Sequence, residues 1–76
     1  MNIHVILTGP LKRYGEGRRE LMVEGEPGWR VVDLTSHLKI PEMSYSFASI
    51  DGKKVEETQR LADGDIVTIF PPVSGG

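Results

Sequence analysis

Hydrophobic residues near the start of the chain recur at every second position. Ile3, Val5 and Leu7 fall on one face, and His4, Ile6 and Thr8 fall on the other. This period of two predicts a strand from Asn2 to Thr8, which Gly9-Pro10 ends. Its second face is also partly apolar.

A second alternating segment follows a glycine-rich connection that spans residues 14–17. Leu21 and Val23 alternate with Glu20, Met22 and Glu24, and the pattern breaks at Gly25–Gly28. We therefore predict a second strand, which pairs with the first as an antiparallel hairpin with a long loop.

The spacing changes to a helical one in the middle of the chain. Val31, Leu34 and Leu38 lie at i, i+3 and i+7, which predicts one short helix. Pro41 disfavours helical dihedrals at Ile40, so the helix is expected to end near Lys39. Arg30 occupies the position where Ser, Thr or Asp usually caps a helix, and this weakens the case for a start there.

Two further strands are predicted in the second half. Tyr45–Ile50 is rich in β-forming residues, Asp51-Gly52 can form a tight turn, and Ile66–Phe70 is the clearest strand pattern of the chain. Residues 53–60 are polar around Val55, and Leu61 is a single apolar anchor. The element order predicts an α+β protein with a mixed sheet of four to five strands and one main helix on one face.

Pro71-Pro72 lacks backbone donors, so strand pairing should stop after Phe70. We expect a domain over residues 1–70 and an extended flexible tail over residues 71–76.

Composition narrows the classes of function. A chain of 76 residues with 38% hydrophobic and 26% charged residues is expected to form one small folded domain. A net charge of -2 argues against nucleic acid or an anionic membrane as a partner. Neither a membrane-length apolar segment nor a signal peptide is evident, so a cytoplasmic location is expected.

The absence of cysteine excludes disulfides, cysteine-bound zinc, iron–sulfur clusters and a cysteine nucleophile. His4 and His37 have no metal-ligand spacing, and no serine lies in a nucleophile motif, so we expect no metal site. No phosphate-binding glycine motif supports nucleotide binding by this chain. A basic cluster at Lys12, Arg13, Arg18 and Arg19 is either a partner contact or, as surface charge usually is, a solvated hairpin end.

The C-terminal segment carries the most distinctive signal. Residues 66–76 contain no charged side chain, and the last strand leads through two prolines into Gly75-Gly76. Glycines without side chains can thread a narrow channel and present the carboxylate of Gly76 to a distant active site. Activation of that carboxylate as an acyl adenylate would make its carbonyl electrophilic. The alternative is a frayed tail without a function.

Two segments resemble the ubiquitin-like sulfur carriers, and most closely the small subunit of molybdopterin synthase. They are Leu61-Ala62-Asp63-Gly64-Asp65-Ile66-Val67 and Phe70-Pro71-Pro72-Val73-Ser74-Gly75-Gly76. The Val31-Val32-Asp33-Leu34 helix start and the Ile50-Asp51-Gly52-Lys53 turn are also similar. The resemblance implies a β-grasp fold.

The resemblance also implies a carrier that is not itself catalytic. A partner would adenylate Gly76 with ATP and Mg²⁺, and this chain would bind no cofactor of its own. A sulfur donor such as a cysteine desulfurase or a rhodanese-type protein would then form a thiocarboxylate. The thiocarboxylate sulfur would then be delivered to a pterin precursor inside the large subunit of molybdopterin synthase. Thiazole-synthesis carriers and protein modifiers share the diglycine, so both remain alternatives.

Strand alternation predicts a partner-binding surface. If Val67 and Ile69 face the helix, Phe70 faces away from it, beside Ile6 on a neighbouring strand. We expect Ile6, Phe70, Pro71, Pro72 and Val73 to contact the enzymes that use the tail. The alternative is that Phe70 packs in the core.

Overall fold

The computed structural model describes residues 1–73, which form one mixed sheet covered on one face by a helix. The strands are β1 (Asn2–Leu7), β2 (Glu20–Glu24), β3 (Phe47–Ile50), β4 (Lys53–Val55) and β5 (Ile66–Phe70), and the helix is α1 (Val31–His37). Two short 3₁₀ segments, Gly9–Gly15 and Glu42–Ser44, complete the elements.

The strand order is β2-β1-β5-β3-β4. β1 and β5 lie parallel at the centre, with Val5 beside Val67 and Leu7 beside Ile69. β2 and β3 flank them in antiparallel pairings. The predicted hairpin and the mixed sheet are both confirmed.

The two faces of the sheet differ as the alternation predicted. Every second residue of β1 and β5 is buried beneath α1, and its neighbours on the chain are partly exposed. The core contains Ile3, Val5, Leu7, Leu11, Val23, Val31, Leu34, Ile40, Ala48, Leu61, Val67 and Ile69. Leu61 is thus the buried anchor that its isolated position indicated.

Helix α1 begins after Arg30 although arginine is an unusual cap residue. Asp33 Oδ2 accepts a hydrogen bond from the Arg30 backbone N–H at 2.7 Å, which is the backward half of a capping box. The Val31 N–H, which has no partner inside the helix, donates to the Gln59 carbonyl at 3.0 Å. The start is therefore fixed by a carboxylate three residues later and by the segment before Leu61.

Three elements differ from the sequence-based expectations. The long hairpin loop expected between β1 and β2 contains a 3₁₀ turn from Gly9 to Gly15, with Leu11 in the core, and this turn includes the first two residues of the connection predicted over residues 14–17. A second 3₁₀ turn covers Glu42–Ser44. Polar Lys53–Val55 forms β4, because the Asp51-Gly52 turn, with φ of 50° and 88°, folds it back onto β3.

Tyr45 joins α1 to the segment after β4. Its hydroxyl lies 3.5 Å from Thr35 Oγ1 and donates to Glu57 Oε2 at 3.2 Å. Partial burial raises the pKa of Tyr45 above its ordinary value of 10.0, and the carboxylate of Glu57 adds to the effect. The phenol is therefore neutral, and able to donate, at physiological pH.

The two faces of β5 allow a matched stability test. Ile69 is fully buried and Ile66 is 41% exposed, on opposite faces of one strand. Ile69→Ala should lower the free energy of unfolding by about 2–5 kcal/mol. Ile66→Ala should lower it by less than about 1 kcal/mol. Urea denaturation measures both, and equal losses would contradict the assignment of the faces.

Candidate functional site

Strand β5 brings the tail to the edge of the fold where β1 also ends. Phe70 is the last residue of β5, Pro71 is half-buried, and Pro72 and Val73 are exposed. Gly75 and Gly76, the predicted reacting residues, lie outside the described residues. The structure therefore defines the root of the tail.

Hydrogen bonds hold the end of β5 from both sides. The backbone N–H and Oγ1 of Thr8 donate to the Ile69 carbonyl at 3.3 and 2.9 Å. The Ser46 N–H donates to the Phe70 carbonyl at 2.8 Å. The last two carbonyls of the strand are thus fixed, and the tail leaves from a defined position.

The 3₁₀ segment after β1 forms one wall of a groove at the root of the tail. Pro71 and Pro72 line this groove with Pro10, Leu11, Arg13, Tyr14 and Ser44. Gly9 has a φ of +55°, and a Cβ at that position would lie 3.5 Å from Pro71 Cγ. The diproline therefore starts against a packed surface.

The sheet face opposite α1, here called the outer face, carries an apolar cluster beside the tail. It comprises Ile6, Phe47, Ile66, Thr68 and Phe70, which the register places on neighbouring strands. The rings of Phe47 and Phe70 stack with centroids 4.6 Å apart and planes 18° apart. Lys54 Nζ lies 4.9 Å from the centroid of Phe47, within cation–π range.

Phe70 lies on this outer face and is only half-buried, so the alternative that it packs in the core is wrong. Ile6 lies on the same face, one strand away. The outer face therefore brings Ile6 and Phe70 together, and Pro71, Pro72 and Val73 follow Phe70 along the chain.

Phe47 and Lys54 belong to this surface but were not singled out from the sequence. Phe47 opposes Phe70 only because β3 pairs antiparallel to β5 in this register. Lys54 reaches the same face only because the polar segment after the turn forms a strand. Period-two alternation within Tyr45–Ile50, combined with an assumed β3–β5 pairing, was the signal that pointed to Phe47.

Ionisable groups near this surface are few. His4 Nε2 lies 3.9 Å from Glu20 Oε1 at the β2 side of the outer face.

Within residues 1–73, no three His, Asp or Glu side chains come close enough together to hold a metal ion. None of the helices in this part of the chain is long and apolar enough to cross a bilayer.

A search against protein-family models gave a match to the ThiS family over residues 5–76, nearly the full chain. The chain belongs to the ThiS family. This match includes the diglycine and the whole of β5, and it identifies the protein as a ubiquitin-fold sulfur carrier of the ThiS type. A search of curated proteins found no significant match.

Solved structures confirm the β-grasp fold of this ThiS-family chain. A Pyrococcus furiosus protein provisionally named molybdopterin converting factor subunit 1 is 25% identical, with a TM-score of 0.80 over 96% of this chain and 99% of that one. SAMP1 from Haloferax volcanii is 22% identical, with a TM-score of 0.76 and full coverage of both chains. A complex of subunits 1 and 2 of molybdopterin-converting factor from Helicobacter pylori contains a chain that is 21% identical, with a TM-score of 0.67 and full coverage of both.

The Thr8 clamp at the end of β5 is open to a direct test. Thr8→Val removes the hydroxyl that donates to Ile69 but keeps the backbone donor, so we expect a loss of about 0.5–1.5 kcal/mol in unfolding free energy. The amide of Ser46, which bonds the next carbonyl, should exchange faster with solvent. Amide hydrogen exchange measured by NMR checks this, with the exposed Thr58→Val as control. Unchanged exchange at Ser46 would show that the hydroxyl does not hold the strand end.

Proposed function

We propose that this protein carries sulfur as a thiocarboxylate on Gly76 and delivers it to a pterin precursor in molybdenum cofactor synthesis. The observation that carries the proposal is the partly exposed, hydrogen-bonded strand end that leads into a diglycine matched by the family model. In this proposal the chain supplies the reacting carboxylate, and its partners supply the catalytic groups.

The chemistry requires activation of an unreactive carboxylate. An oxygen of Gly76 attacks the α-phosphorus of ATP in a partner enzyme with Mg²⁺, and pyrophosphate leaves. A persulfide of the sulfur donor then attacks the acyl adenylate, and AMP leaves. The bond formed is a C–S bond, and the S–S bond of the persulfide is retained in an acyl disulfide. A second thiol of the donor then attacks the donor-side sulfur of that S–S bond, which leaves the thiocarboxylate on the carrier and a disulfide on the donor. Because the chain has no cysteine, its terminal carbonyl is the site that remains for covalent sulfur.

The local geometry suits such a carrier. The Thr8 and Ser46 contacts fix the root of the tail, and the prolines favour an extended direction away from the sheet. The six residues from Pro71 to Gly76 reach at most about 20 Å when fully extended. A partner active site must therefore lie within that distance of the groove around Pro71.

The outer face is proposed as the surface on which the partners dock. Ile6 and Phe70 supply apolar area next to the tail, and Pro71, Pro72 and Val73 extend it toward the reacting end. Phe47 adds a stacked ring beside Phe70. A large aromatic side chain that is half-buried in the free protein can anchor an interface without ordering a flexible group.

The choice of acceptor is supported by two observations. The Phe70-Pro71-Pro72 run is similar to that of molybdopterin synthase small subunits, and the Pyrococcus protein named for molybdopterin conversion covers nearly the same chain length. We therefore favour the large subunit of molybdopterin synthase as the receiving partner. A thiazole precursor is the second candidate, since the family match is to ThiS.

The carrier chemistry can be tested by intact mass spectrometry. The protein is incubated with ATP, Mg²⁺, a matched adenylating enzyme and a cysteine desulfurase with cysteine. We expect a mass gain equal to the exchange of one oxygen for one sulfur. A variant without Gly76 should fold normally and show no gain, because Gly76 lies beyond β5, the last strand.

Two outcomes would contradict the proposal. No gain in mass, with active control proteins, would exclude the thiocarboxylate. Higher-mass conjugates through lysine, in place of the sulfur gain, would instead indicate a protein modifier.

A second experiment identifies the acceptor. Addition of the pterin precursor with the large synthase subunit, or of thiazole precursors with thiazole synthase, shows which acceptor removes the sulfur from the carrier.

Docking on the outer face predicts a selective defect in Phe70→Ala. Its affinity for the large synthase subunit should fall roughly 30-fold, which corresponds to about 2 kcal/mol. Val32→Ala, on the helix and 37% exposed, should leave this affinity unchanged. Isothermal titration calorimetry measures both variants, and denaturation confirms that each is folded. Unchanged affinity in Phe70→Ala would remove Phe70 from the interface.

A further inference from the structure

Five exposed cations lie at the end of the molecule from which the tail leaves. Arg13 lines the groove that holds Pro71 and Pro72. Arg18 and Lys39 line an adjoining cleft, and Tyr14 borders both. We call this set the basic rim, and it comprises Lys12, Arg13, Arg18, Arg19 and Lys39.

The fold gathers these cations from three separate segments. Lys12 and Arg13 belong to the 3₁₀ turn after β1. The Arg19 carbonyl accepts from the Leu7 N–H at 2.7 Å, which places Arg18 and Arg19 beside the end of β1. Lys39 follows α1 with a φ of 60°. The rim is therefore wider than the local run of charge in the sequence.

Within residues 1–73, no carboxylate lies within ion-pair distance of a rim cation. The acidic and basic side chains that come within that distance in this part of the chain are Glu20 and His4. Glu16 and Glu20 line the same cleft as Arg18 and Lys39 without pairing with them. Cations of the rim thus keep their hydrated charge available for a partner.

The other end of the sheet carries more carboxylates than cations, although Lys53 and Arg60 also lie there. Three of its carboxylates accept backbone N–H groups: Asp63 from Asn2 at 2.7 Å, Asp65 from Ala62 at 2.7 Å, and Asp51 from Ile66 at 3.3 Å. Glu24 pairs with Asn2 across the same end, and Glu26 follows it. The net charge of -2 therefore conceals an uneven distribution along the strand direction.

We propose that the basic rim docks against an acidic surface of the adenylating enzyme, around the entrance of the channel that receives the tail. This inference rests on the proposed function, because it assigns a docking surface to the partner that would adenylate Gly76. The rim borders an apolar groove at the tail root through Arg13, which suits a protein surface with a channel. An overall negative chain with carboxylates beside the rim is unsuited to nucleic acid.

The rim and the outer face then differ in what they supply. Exposed charges at the margin of an interface act mainly on the rate of encounter and on its salt dependence. Buried apolar groups act mainly on the rate of dissociation. A carrier that must meet its activating enzyme anew for each sulfur atom gains speed from the rim without slower release.

The test compares two double variants with the same change in charge. Arg13→Glu/Arg18→Glu alters the rim, and Lys53→Glu/Arg60→Glu alters the other end, where both side chains line one shallow depression. Association with a matched adenylating enzyme is followed by stopped-flow fluorescence over a range of salt concentrations. The rim variant should associate on the order of 10-fold more slowly at low salt and lose most of the salt dependence, and the control should stay within about 2-fold of wild type.

Several results would overturn the inference. Equal slowing of association in both variants would indicate an effect of net charge alone. Association of the rim variant at the wild-type rate would exclude the basic rim as a docking surface. Tighter binding of wild type to a mixed tRNA preparation than to the enzyme would make the rim a nucleic-acid surface. If circular dichroism shows that Arg13→Glu/Arg18→Glu does not fold, the association rate of Arg13→Gln/Arg18→Gln is measured instead. This variant should also associate more slowly than wild type, by a smaller factor.

An assay of ATP–pyrophosphate exchange, catalysed by the adenylating enzyme in the presence of the wild-type carrier, separates this inference from the proposed function. Exchange that requires Gly76 supports the proposed function. If the rim variant then associates at the wild-type rate and with the wild-type salt dependence, only the inference about the basic rim is overturned. Absence of any exchange with wild type would overturn both.

Discussion

The parallel pairing of β1 with β5 is the constraint on which the rest of the structure depends. It joins the first strand to the last one, and its inward residues, Val5, Leu7, Val67 and Ile69, are fully buried. Side chains of a strand alternate between faces, so the same pairing that fixes the core also fixes which residues point outward. A slip of one residue would move Phe70 into the core and Ile69 to the surface. The position of the tail and the composition of the outer face are thus set by one register.

Much of the fold could be predicted from the sequence, because strong local patterns and tertiary structure agree. In β1 and β5, only a strand places the alternating apolar side chains on one buried face. Likewise, only a helix places Val31, Leu34 and Leu38 on one buried face. β4 could not be predicted with the same ease, since its three residues form a strand through pairing with β3 and not through their own preference. The 3₁₀ turn at Gly9–Gly15 was hidden by glycines that indicated a loop, whereas burial of Leu11 stabilises it.

The candidate site divides in a similar way. The diglycine and the diproline are adjacent in sequence and could be recognised without a structure. Phe47, Lys54 and Lys39 reach the surfaces around the tail only through pairing and packing between distant segments. Thr8 belongs to this group as well, because a threonine after a strand gives no sign that its hydroxyl holds a carbonyl of β5, 61 residues away in the chain.

The central position of β5 also has a consequence for synthesis of the protein. β5 is made after every other strand, yet it must insert between β1 and β3 before the sheet is continuous. Contacts of such large sequence separation cost more loop-closure entropy than local contacts do, and this slows folding. The stacked aromatic pair and the fixed tail root therefore exist only in a chain that has been translated through β5 and has folded. An enzyme that binds the outer face before it acts on the tail would thereby spend ATP on folded carriers and leave full-length chains that have not folded unmodified.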